Sequence, residues 1–130
     1  MALHFELVSP AKLLFSGDVT SVTLPGSEGE MGIFAGHAPL LSTLRPGFVT
    51  VAKDGGTTEK IFVRGGFAEV NPQGLTVLAE TAIASADLTT AAMAEQIASA
   101  EADVASALDD EAKRKANEAL DYLKGIQAAL

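Results

Sequence analysis

The chain has 130 residues with 17 acidic and 9 basic side chains, which gives a formal net charge of −8 at pH 7, and it contains no cysteine. This length is enough for one domain, or one domain plus an appendage, and the missing thiols exclude disulfides, iron–sulfur clusters and cysteine-based zinc sites. The acidic balance argues against a nucleic-acid partner, because phosphate binding depends on basic side chains.

Residues 1–6 carry neither a basic region nor an apolar run, so we expect no signal or transit peptide at this end. No apolar stretch approaches the roughly 20 residues that a membrane-spanning helix needs. We therefore expect no direct insertion into a membrane.

Residues 1–84 have the pattern of short β-strands. Apolar and polar residues alternate in several short runs, and this period of two is typical of strands with one buried face. The apolar residues that carry the pattern are Leu3, Phe5, Leu7, Ile61, Val63, Leu75 and Val77.

Turn sequences separate these runs. Asp54-Gly55-Gly56 suits a hairpin, because glycine accepts positive φ, and Asn71-Pro72-Gln73-Gly74 suits a type I turn. Many short strands at this spacing predict a β-sandwich or a β-barrel.

The composition changes sharply near residues 85–87. All five prolines and eleven of the twelve glycines precede this point, and thirteen alanines lie in the 44 residues from 87 to 130. A break of this kind marks a change of structural class. We therefore divide the chain into a β domain, residues 1–84, and a helical domain, residues 85–130.

The helical domain is predicted to contain two helices of about 20 residues each. One apolar stripe at helical spacing consists of Met93, Ile97, Ala100, Val104 and Leu108. A second consists of Ala112, Ala116, Ala119, Leu123, Ile126 and Leu130.

Acidic residues mark where the two helices begin. We expect Asp87 to cap the first helix and Asp109 or Asp110 to cap the second. The short connection between them predicts an antiparallel hairpin. Because its seam is mostly alanine, which buries little area, the hairpin is expected to depend on docking to something else.

The stretch from Leu24 to Leu41 concentrates four glycines and has the composition of a functional loop. It lacks the lysine of a phosphate loop. Ser27 and His37 lie outside a nucleophile elbow, and Glu28, Glu30 and His37 alone make a weak metal-ligand set. The pattern instead favours a long, polar, glycine-rich loop on a β scaffold that contacts a partner.

Three blocks of the first 84 residues resemble one known family. They are Pro25-Gly26 with Gly29, Gly32, Ile33, His37, Pro39 and Leu40; Gly65-Gly66-Phe67-Ala68-Glu69-Val70; and residues 77–82. Ser9-Pro10 and Phe15-Ser16-Gly17 fit the same pattern. Their order and spacing are similar to those of the epsilon subunit of bacterial F-type ATP synthases, over nearly all of residues 1–84.

The resemblance implies a β plus α fold, in which a flattened ten-strand β-sandwich precedes an antiparallel two-helix hairpin. It also implies a non-catalytic rotor subunit on the central stalk, bound to the gamma subunit and the c ring, that helps couple proton flow to ATP synthesis. No cofactor is expected. The implied location is peripheral, on the cytoplasmic side of the bacterial inner membrane.

The family carries contact residues onto the glycine-rich stretch. Its tip is expected to touch the c ring, His37 to lie near the junction with gamma or the c ring, and the face around Leu40 and Leu41 to pack on gamma, together with the strand that begins at Gly65-Gly66-Phe67. The implied contact residues are Glu28, Glu30, Met31, His37, Leu40 and Leu41.

Three departures from the family pattern bear on regulation. Ala35 replaces a proline before Gly36, which loosens one corner. Thr90 stands where ATP-binding members have an arginine, so we expect no tight ATP binding. The basic patch Lys113-Arg114-Lys115 is the candidate contact with the catalytic alpha and beta subunits, but residues 87–130 carry four basic and nine acidic groups, and we expect weak inhibition of ATP hydrolysis.

Two other functions remain as alternatives. The first is a small-ligand-binding β-sandwich with the hairpin as a lid, which predicts stabilisation of the isolated protein by its ligand. The second is an enzyme that uses Glu28, Glu30 and His37, which predicts turnover by the purified chain and its loss in His37→Ala.

Overall fold

The computed structural model describes residues 2–129 and confirms the predicted fold class, ten strands followed by two helices. It divides into two compact units, one ending at Ser85 and the other beginning at Ala86. The strands are β1 (Leu3–Val8), β2 (Leu13–Val19), β3 (Ser21–Gly26), β4 (Gly29–Phe34), β5 (Leu40–Thr43), β6 (Gly47–Ala52), β7 (Thr58–Arg64), β8 (Phe67–Asn71), β9 (Gly74–Leu78) and β10 (Thr81–Ala84), and the helices are α1 (Thr90–Ser106) and α2 (Asp110–Ala129).

The strands form two five-stranded sheets. The order in sheet A is β2-β1-β9-β8-β5, and the order in sheet B is β10-β7-β6-β3-β4. All pairs are antiparallel except β1 with β9. The consecutive strands β4 and β5 lie at the edge of different sheets, so the short connection between them crosses from sheet B to sheet A.

The core of this unit consists of the inward-facing side chains of both sheets, as the alternating pattern predicts. In β1 the inward positions, Leu3, Phe5 and Leu7, are buried, and the positions between them are at least partly exposed. The buried residues of the core are Leu3, Phe5, Leu7, Val19, Val22, Leu24, Ile33, Leu44, Val49, Val51, Ile61, Val63, Ala68, Val70, Leu75, Val77 and Ala79.

Strand β7 departs from simple alternation. Ile61, Phe62 and Val63 are all buried, although only Ile61 and Val63 belong to the sandwich core. Phe62 lies on the other face of sheet B, where its ring meets the ring of Phe48 on β6 edge to face, with centroids 6.1 Å apart. The period of two therefore identified the strand but missed its second buried face.

Both predicted turn sequences connect the two strands of a hairpin. A short 3₁₀ segment, Asp54–Gly56, joins β6 to β7. Pro72 and Gln73 join β8 to β9, and the Asn71 side chain accepts a hydrogen bond of 2.9 Å from the Gln73 amide. This bond rigidifies the turn, because asparagine can pair with the backbone two residues further on.

The helix caps confirm one prediction and correct another. Asp109 caps α2, accepting a 2.7 Å hydrogen bond from the Ala112 amide. The prediction for the first helix was wrong: Asp87 lies in a 3₁₀ turn, and Thr89 caps α1 by accepting from the Ala92 amide at 3.0 Å. The helix therefore begins two residues later than a cap at Asp87 would place it.

The apolar stripes of the hairpin are shorter than predicted. Helix α1 ends at Ser106, so Leu108 lies in the connection and is 98% exposed rather than packed. In α2 the buried residues are Leu120 and Leu123, of which only Leu123 was predicted. Leu130, the last residue of the second predicted stripe, lies outside the described residues. The two helices pack against each other, as the antiparallel hairpin predicts.

Candidate functional site

The glycine-rich stretch begins as a tight β-hairpin rather than the long loop that its composition predicted. Strands β3 and β4 pair as far as Gly26 and Gly29, which leaves only Ser27 and Glu28 as the turn. Glu30, expected in the loop, lies within β4 opposite Pro25. The hairpin holds its acidic tip on paired backbone, which fixes the tip more firmly than a loop would.

Proline and glycine fit this hairpin for identifiable reasons. The closing pair of a two-residue turn, here Gly26 and Gly29, exchanges backbone hydrogen bonds, and the next pair, Pro25 and Glu30, does not. Proline has no N–H group, and at position 25 no N–H group is needed for a hydrogen bond to β4. Gly29 has φ of 138°, which a side chain would disfavour. The residues that resembled a loop are those that a tight turn requires.

Backbone hydrogen bonds connect the hairpin tip to the strand at the edge of sheet A. The Ser27 amide donates to the Thr43 carbonyl at 3.1 Å, and the Arg45 amide donates to the Pro25 carbonyl at 2.9 Å. Gly26 also forms a bridge with Leu44. These bonds hold the edges of the two sheets together at one end of the sandwich.

An open groove of about 580 Å³ lies between the tip and β5. Five of the six predicted contact residues line it: Glu28, Glu30, Met31, Leu40 and Leu41. The two carboxylates are exposed, Leu41 is 68% exposed, and Met31 and Leu40 pack partly on the core. We name this surface, with Ser27, Gly29, Ser42 and Thr43, the acidic groove.

His37, the sixth predicted contact residue, lies apart from the acidic groove. It occupies the corner between β4 and β5, where its amide donates to the Phe34 carbonyl at 3.2 Å. Its Nδ1 donates to the Ala38 carbonyl at 2.7 Å, so the side chain is hydrogen-bonded within the corner. It lines a separate cleft of about 350 Å³, which it shares with His4 and Asn71.

A second polar cluster, centred on His4, was not predicted. The ring lies between two carboxylates, with Nδ1 3.2 Å from Asp18 Oδ1 and Nε2 3.4 Å from Glu6 Oε1. The hydrogen bond with Asp18, followed by that with Glu6, raises the pKa of His4 above its ordinary value of 6.5. Alternation in β1 places His4 and Glu6 on one face, but Asp18 comes from the neighbouring strand β2.

The outer face of sheet A carries an apolar surface that was only partly predicted. The register places Thr43, Phe67, Leu78, Val8 and Leu13 side by side across all five strands. Leu13 is 57% exposed, Leu78 41% and Phe67 39%. We name this line of residues the apolar row. Phe67 was assigned to partner packing from the family blocks, but its neighbours become adjacent only when the sheet forms.

A groove of about 500 Å³ lies at one side of the apolar row. Val8, Phe67 and Leu78 contribute apolar lining, Pro10 lies in the β1–β2 turn, and Glu80 adds a carboxylate. Exposed apolar surface of this kind marks protein contact sites more often than isolated apolar side chains do.

The basic patch on α2 is partly neutralised by its own helix. Arg114 contacts Glu118 at 2.6 Å and Glu111 at 3.9 Å, and Lys115 lies 3.9 Å from Glu111. Lys113 stands beside them in the first turns of the helix. Exposed pairs at this spacing contribute little to stability, but they lower the charge that the patch offers to a partner.

The positions considered for a nucleotide or a metal have few of the side chains that bind such ligands. Thr90, where the resemblance implies an arginine in ATP-binding members, is the first residue of α1. Within residues 2–129, no group of three or more His, Asp or Glu side chains is arranged to hold a metal ion. In the same part of the chain, neither helix is both long and apolar enough to cross a membrane.

Residues 2–85 match the family described as ATP synthase, Delta/Epsilon chain, beta-sandwich domain. Three similar proteins are each called an ATP synthase epsilon chain, the second with the number 1. The chain is 56% identical to that of Parvibaculum lavamentivorans over 96% of its length and 95% of the relative's. It is 51% identical to the protein of Nitrobacter hamburgensis, over 98% of this chain and 93% of the relative. It is 46% identical to that of Mesorhizobium japonicum, over 99% of this chain and 96% of the relative.

Two solved structures share the fold. One is a chain from the mitochondrial ATP synthase of Euglena gracilis, in a structure of OSCP, F1 and the c ring, with a TM-score of 0.74, 25% identity, and coverage of 98% of this chain and 81% of that one. The other is a chain from the central stalk and c ring of the Tetrahymena thermophila mitochondrial ATP synthase, with a TM-score of 0.64, 13% identity and 95% coverage of both chains.

Proposed function

The chain belongs to the delta/epsilon family of ATP synthase subunits, and from this premise we propose how its surfaces serve the complex. It is a non-catalytic subunit of the central stalk, with the gamma subunit and the c ring as its partners, and it takes part in coupling proton-driven rotation to ATP synthesis. We assign one partner to each surface of the sandwich and a weak regulatory role to the hairpin, which corresponds to domains 1–84 and 85–130.

The acidic groove is the proposed contact with the c ring. The observation that supports it is the convergence of Glu28, Glu30, Met31, Leu40 and Leu41 on one groove, although they come from two sheets. This proposal moves Leu40 and Leu41 from the gamma contact, which the resemblance implies for them, to the c-ring contact. Exposed carboxylates beside partly exposed apolar side chains suit a partner that offers polar loops over an apolar base. Because the tip is hydrogen-bonded to the edge of sheet A, it can transmit torque without bending away.

Charge reversal at the tip tests this assignment. Glu30 is exposed on β4, so Glu30→Lys is expected to leave the fold intact and to weaken rotor assembly or proton-coupled ATP synthesis. Glu101→Lys, an exposed reversal on α1, is the matched control. Unchanged synthesis in Glu30→Lys vesicles would count against the acidic groove as the c-ring contact.

The outer face of sheet A is the proposed contact with gamma. Its support is the apolar row, which presents Leu13, Leu78 and Phe67 to solvent. His37 stays a predicted contact near the junction with gamma or the c ring, although its corner precedes the Leu40 end of β5, away from Thr43 and the apolar row. The chain should co-purify with gamma, and its failure to do so would remove the basis of the assignment.

The hairpin is proposed to inhibit ATP hydrolysis weakly and to bind no ATP tightly. Two of the three cations in Lys113-Arg114-Lys115 contact acids of the same helix, so less charge is available to the alpha and beta subunits. Thr90 offers a hydroxyl group where relatives use a guanidinium, which forms the stronger phosphate contact. Adding ATP to the purified chain should therefore give no measurable stabilisation.

The proposed location follows from the c-ring contact. The similar proteins come from bacteria, and we place the chain on the cytoplasmic side of the bacterial inner membrane, peripheral to it. When the chain is detached from inverted membrane vesicles, we expect it to come off together with gamma and not with lipid.

A further inference from the structure

The apolar row has a regular spacing that restricts what can lie on it. Its members, Thr43, Phe67, Leu78, Val8 and Leu13, occupy successive strands, one residue per strand. Neighbouring strands lie about 4.8 Å apart. The four apolar residues from Phe67 to Leu13 therefore span about 14 Å, in a line that runs across the strands.

Acidic side chains lie on one side of this line. The next residue row of sheet A runs through Leu41, Glu69, Thr76, Glu6 and Ser16. It contributes the carboxylates of Glu69 and Glu6 to the border of the apolar row. Glu69 and Glu6 flank Thr76 of the central strand β9, and only Glu6 is also paired with His4.

A carboxylate also borders the opposite side of the row. Glu80 lines the 500 Å³ groove together with Val8, Phe67 and Leu78. Glu80 follows β9, and its side chain packs over Gly65. Its carboxylate lies within about 3 Å of the position that a β-carbon on Gly65 would take. Lys12, in the β1–β2 turn, adds one basic group at the Leu13 end. The apolar row therefore runs between acids on both sides.

We infer that a basic amphipathic α-helix of the gamma subunit occupies this face, with one apolar side chain per turn on the apolar row and lysine or arginine on each flank, opposite Glu69 and Glu80. A helix rises about 5.4 Å per turn, close to the strand spacing, so successive turns meet successive strands. An extended segment of gamma would fit less well, because its same-face residues lie about 6.6 Å apart. Their spacing departs from that of the strands of sheet A after two contacts. This inference rests on the proposed contact with gamma.

The chain contains no cysteine, so a single substitution introduces a unique probe. Leu78→Cys, labelled with a short photo-crosslinker in the full-length chain, should attach to one segment of purified gamma. The expected segment has apolar residues at helical spacing with basic residues on both sides. A crosslink to an acidic or extended segment would overturn the inference.

Binding measurements test the two parts of the contact separately. Leu78→Asp should weaken the affinity for gamma at least about tenfold at every salt concentration, because it places a charge in the apolar row. The double reversal Glu69→Lys with Glu80→Lys should weaken it about tenfold at 0.1 M salt and much less at 1 M, since the screening length falls from about 10 Å to about 3 Å. Leu78→Thr replaces Leu78→Asp if the latter fails to fold.

Matched controls lie elsewhere on the surface. Phe34→Asp changes an exposed aromatic side chain on β4, and Glu95→Lys reverses an exposed charge on α1, and both should bind gamma within about twofold of the parent. Parent-like or tighter binding by the Glu69 and Glu80 double variant would show that the occupant is not basic. If the parent chain does not bind gamma, the proposed function fails. If the parent chain binds gamma and every variant binds with the same affinity, only this inference fails.

Discussion

The β-sandwich and the helical hairpin use two different ways of specifying structure within one chain. The sandwich buries a core of large side chains contributed by both sheets, and four of its eight strand pairs join strands that are not consecutive in the chain. The hairpin buries few side chains, among them Met93, Ala100 and Leu123, and its helices begin at local caps. Perturbations of packing should therefore act mainly on the sandwich, and perturbations of local helix chemistry mainly on the hairpin.

This difference is consistent with our proposal that the contact surfaces lie on the sandwich. The acidic groove and the apolar row each need residues from several strands held in fixed register, which a rigid core provides. A hairpin that buries so few side chains has less to lose by rearranging, which suits a regulatory segment better than a docking surface.

The largest effect is expected at a glycine of the sandwich. Gly66, between β7 and β8, has φ of 99°, and a side chain there would begin 1.8 Å from the Leu78 carbonyl oxygen. Gly66→Ala should lower the free energy of unfolding by at least about 3 kcal/mol, measured by urea denaturation. The control is Gly36→Ala, where φ is 80° but no atom lies within 4 Å, so only about 1 kcal/mol should be lost. Equal losses would show that close packing at Gly66 is not the cause.

A helix cap provides the corresponding test in the hairpin. Thr89→Ala removes the bond to the Ala92 amide and should cost the hairpin about 1 kcal/mol. Asp87→Ala should change it by less than about 0.5 kcal/mol, because Asp87 does not cap α1. Tyr122, the only tyrosine in the chain, reports on the hairpin by fluorescence. A larger effect from Asp87 would restore the cap predicted from the sequence.

A glycine within α2 should respond in the opposite sense to Gly66. Gly125 lies in the helix, and apart from the backbone of that helix no atom lies within 4 Å of the place that a β-carbon would take. Gly125→Ala should therefore stabilise the hairpin by up to about 1 kcal/mol, by reducing the entropy of the unfolded chain. Helical circular dichroism during thermal unfolding measures this gain, and a loss of stability would show a constraint at Gly125 that its open surroundings do not reveal.

The smallest effect is a pH dependence at the surface of the sandwich. Because Asp18 and Glu6 raise the pKa of His4 in the folded state, protonated His4 stabilises the fold fully below pH 6.5. That contribution is lost as the pH rises through the higher pKa of the folded protein. Parent and His4→Gln should thus differ in stability at pH 5.5 and converge at high pH. In Asp18→Asn, the pKa of His4 measured by NMR should fall, and no change would rule out Asp18 as the main cause.

The sequence allowed the local features to be predicted and left the non-local ones open. Alternation located β1, β7 and β9, and the turn residues located two hairpins, because these signals depend on neighbours in the chain. The family resemblance supplied the number of strands. The start of α1 was misplaced because Asp87 and Thr89 are both good caps, and the sequence does not show that Asp87 ends a 3₁₀ turn, which leaves Thr89 as the cap.

The candidate site was predicted in parts. The residues of the acidic groove were predicted from the family resemblance, but the composition of the stretch around them suggested a loop. Glycine and proline are generally unfavourable in strands, and only the pairing of β3 with β4 shows that this stretch forms a hairpin. The apolar row could not be derived from any single segment, because Leu13, Leu78 and Phe67 meet through three separate strand pairings. Charge patterns along α2 could be read directly, since helical neighbours are three or four residues apart.

The most direct test of the account compares the full chain with a chain truncated after Ala84. Each is reconstituted with the remaining subunits in inverted membrane vesicles, and proton-driven ATP synthesis and ATP hydrolysis are measured together. The sandwich alone should support synthesis at close to the rate of the full chain, with little rise in hydrolysis. Loss of synthesis on truncation would contradict the claim that the sandwich carries the coupling contacts, and a strong rise in hydrolysis would contradict the weak regulatory role of the hairpin.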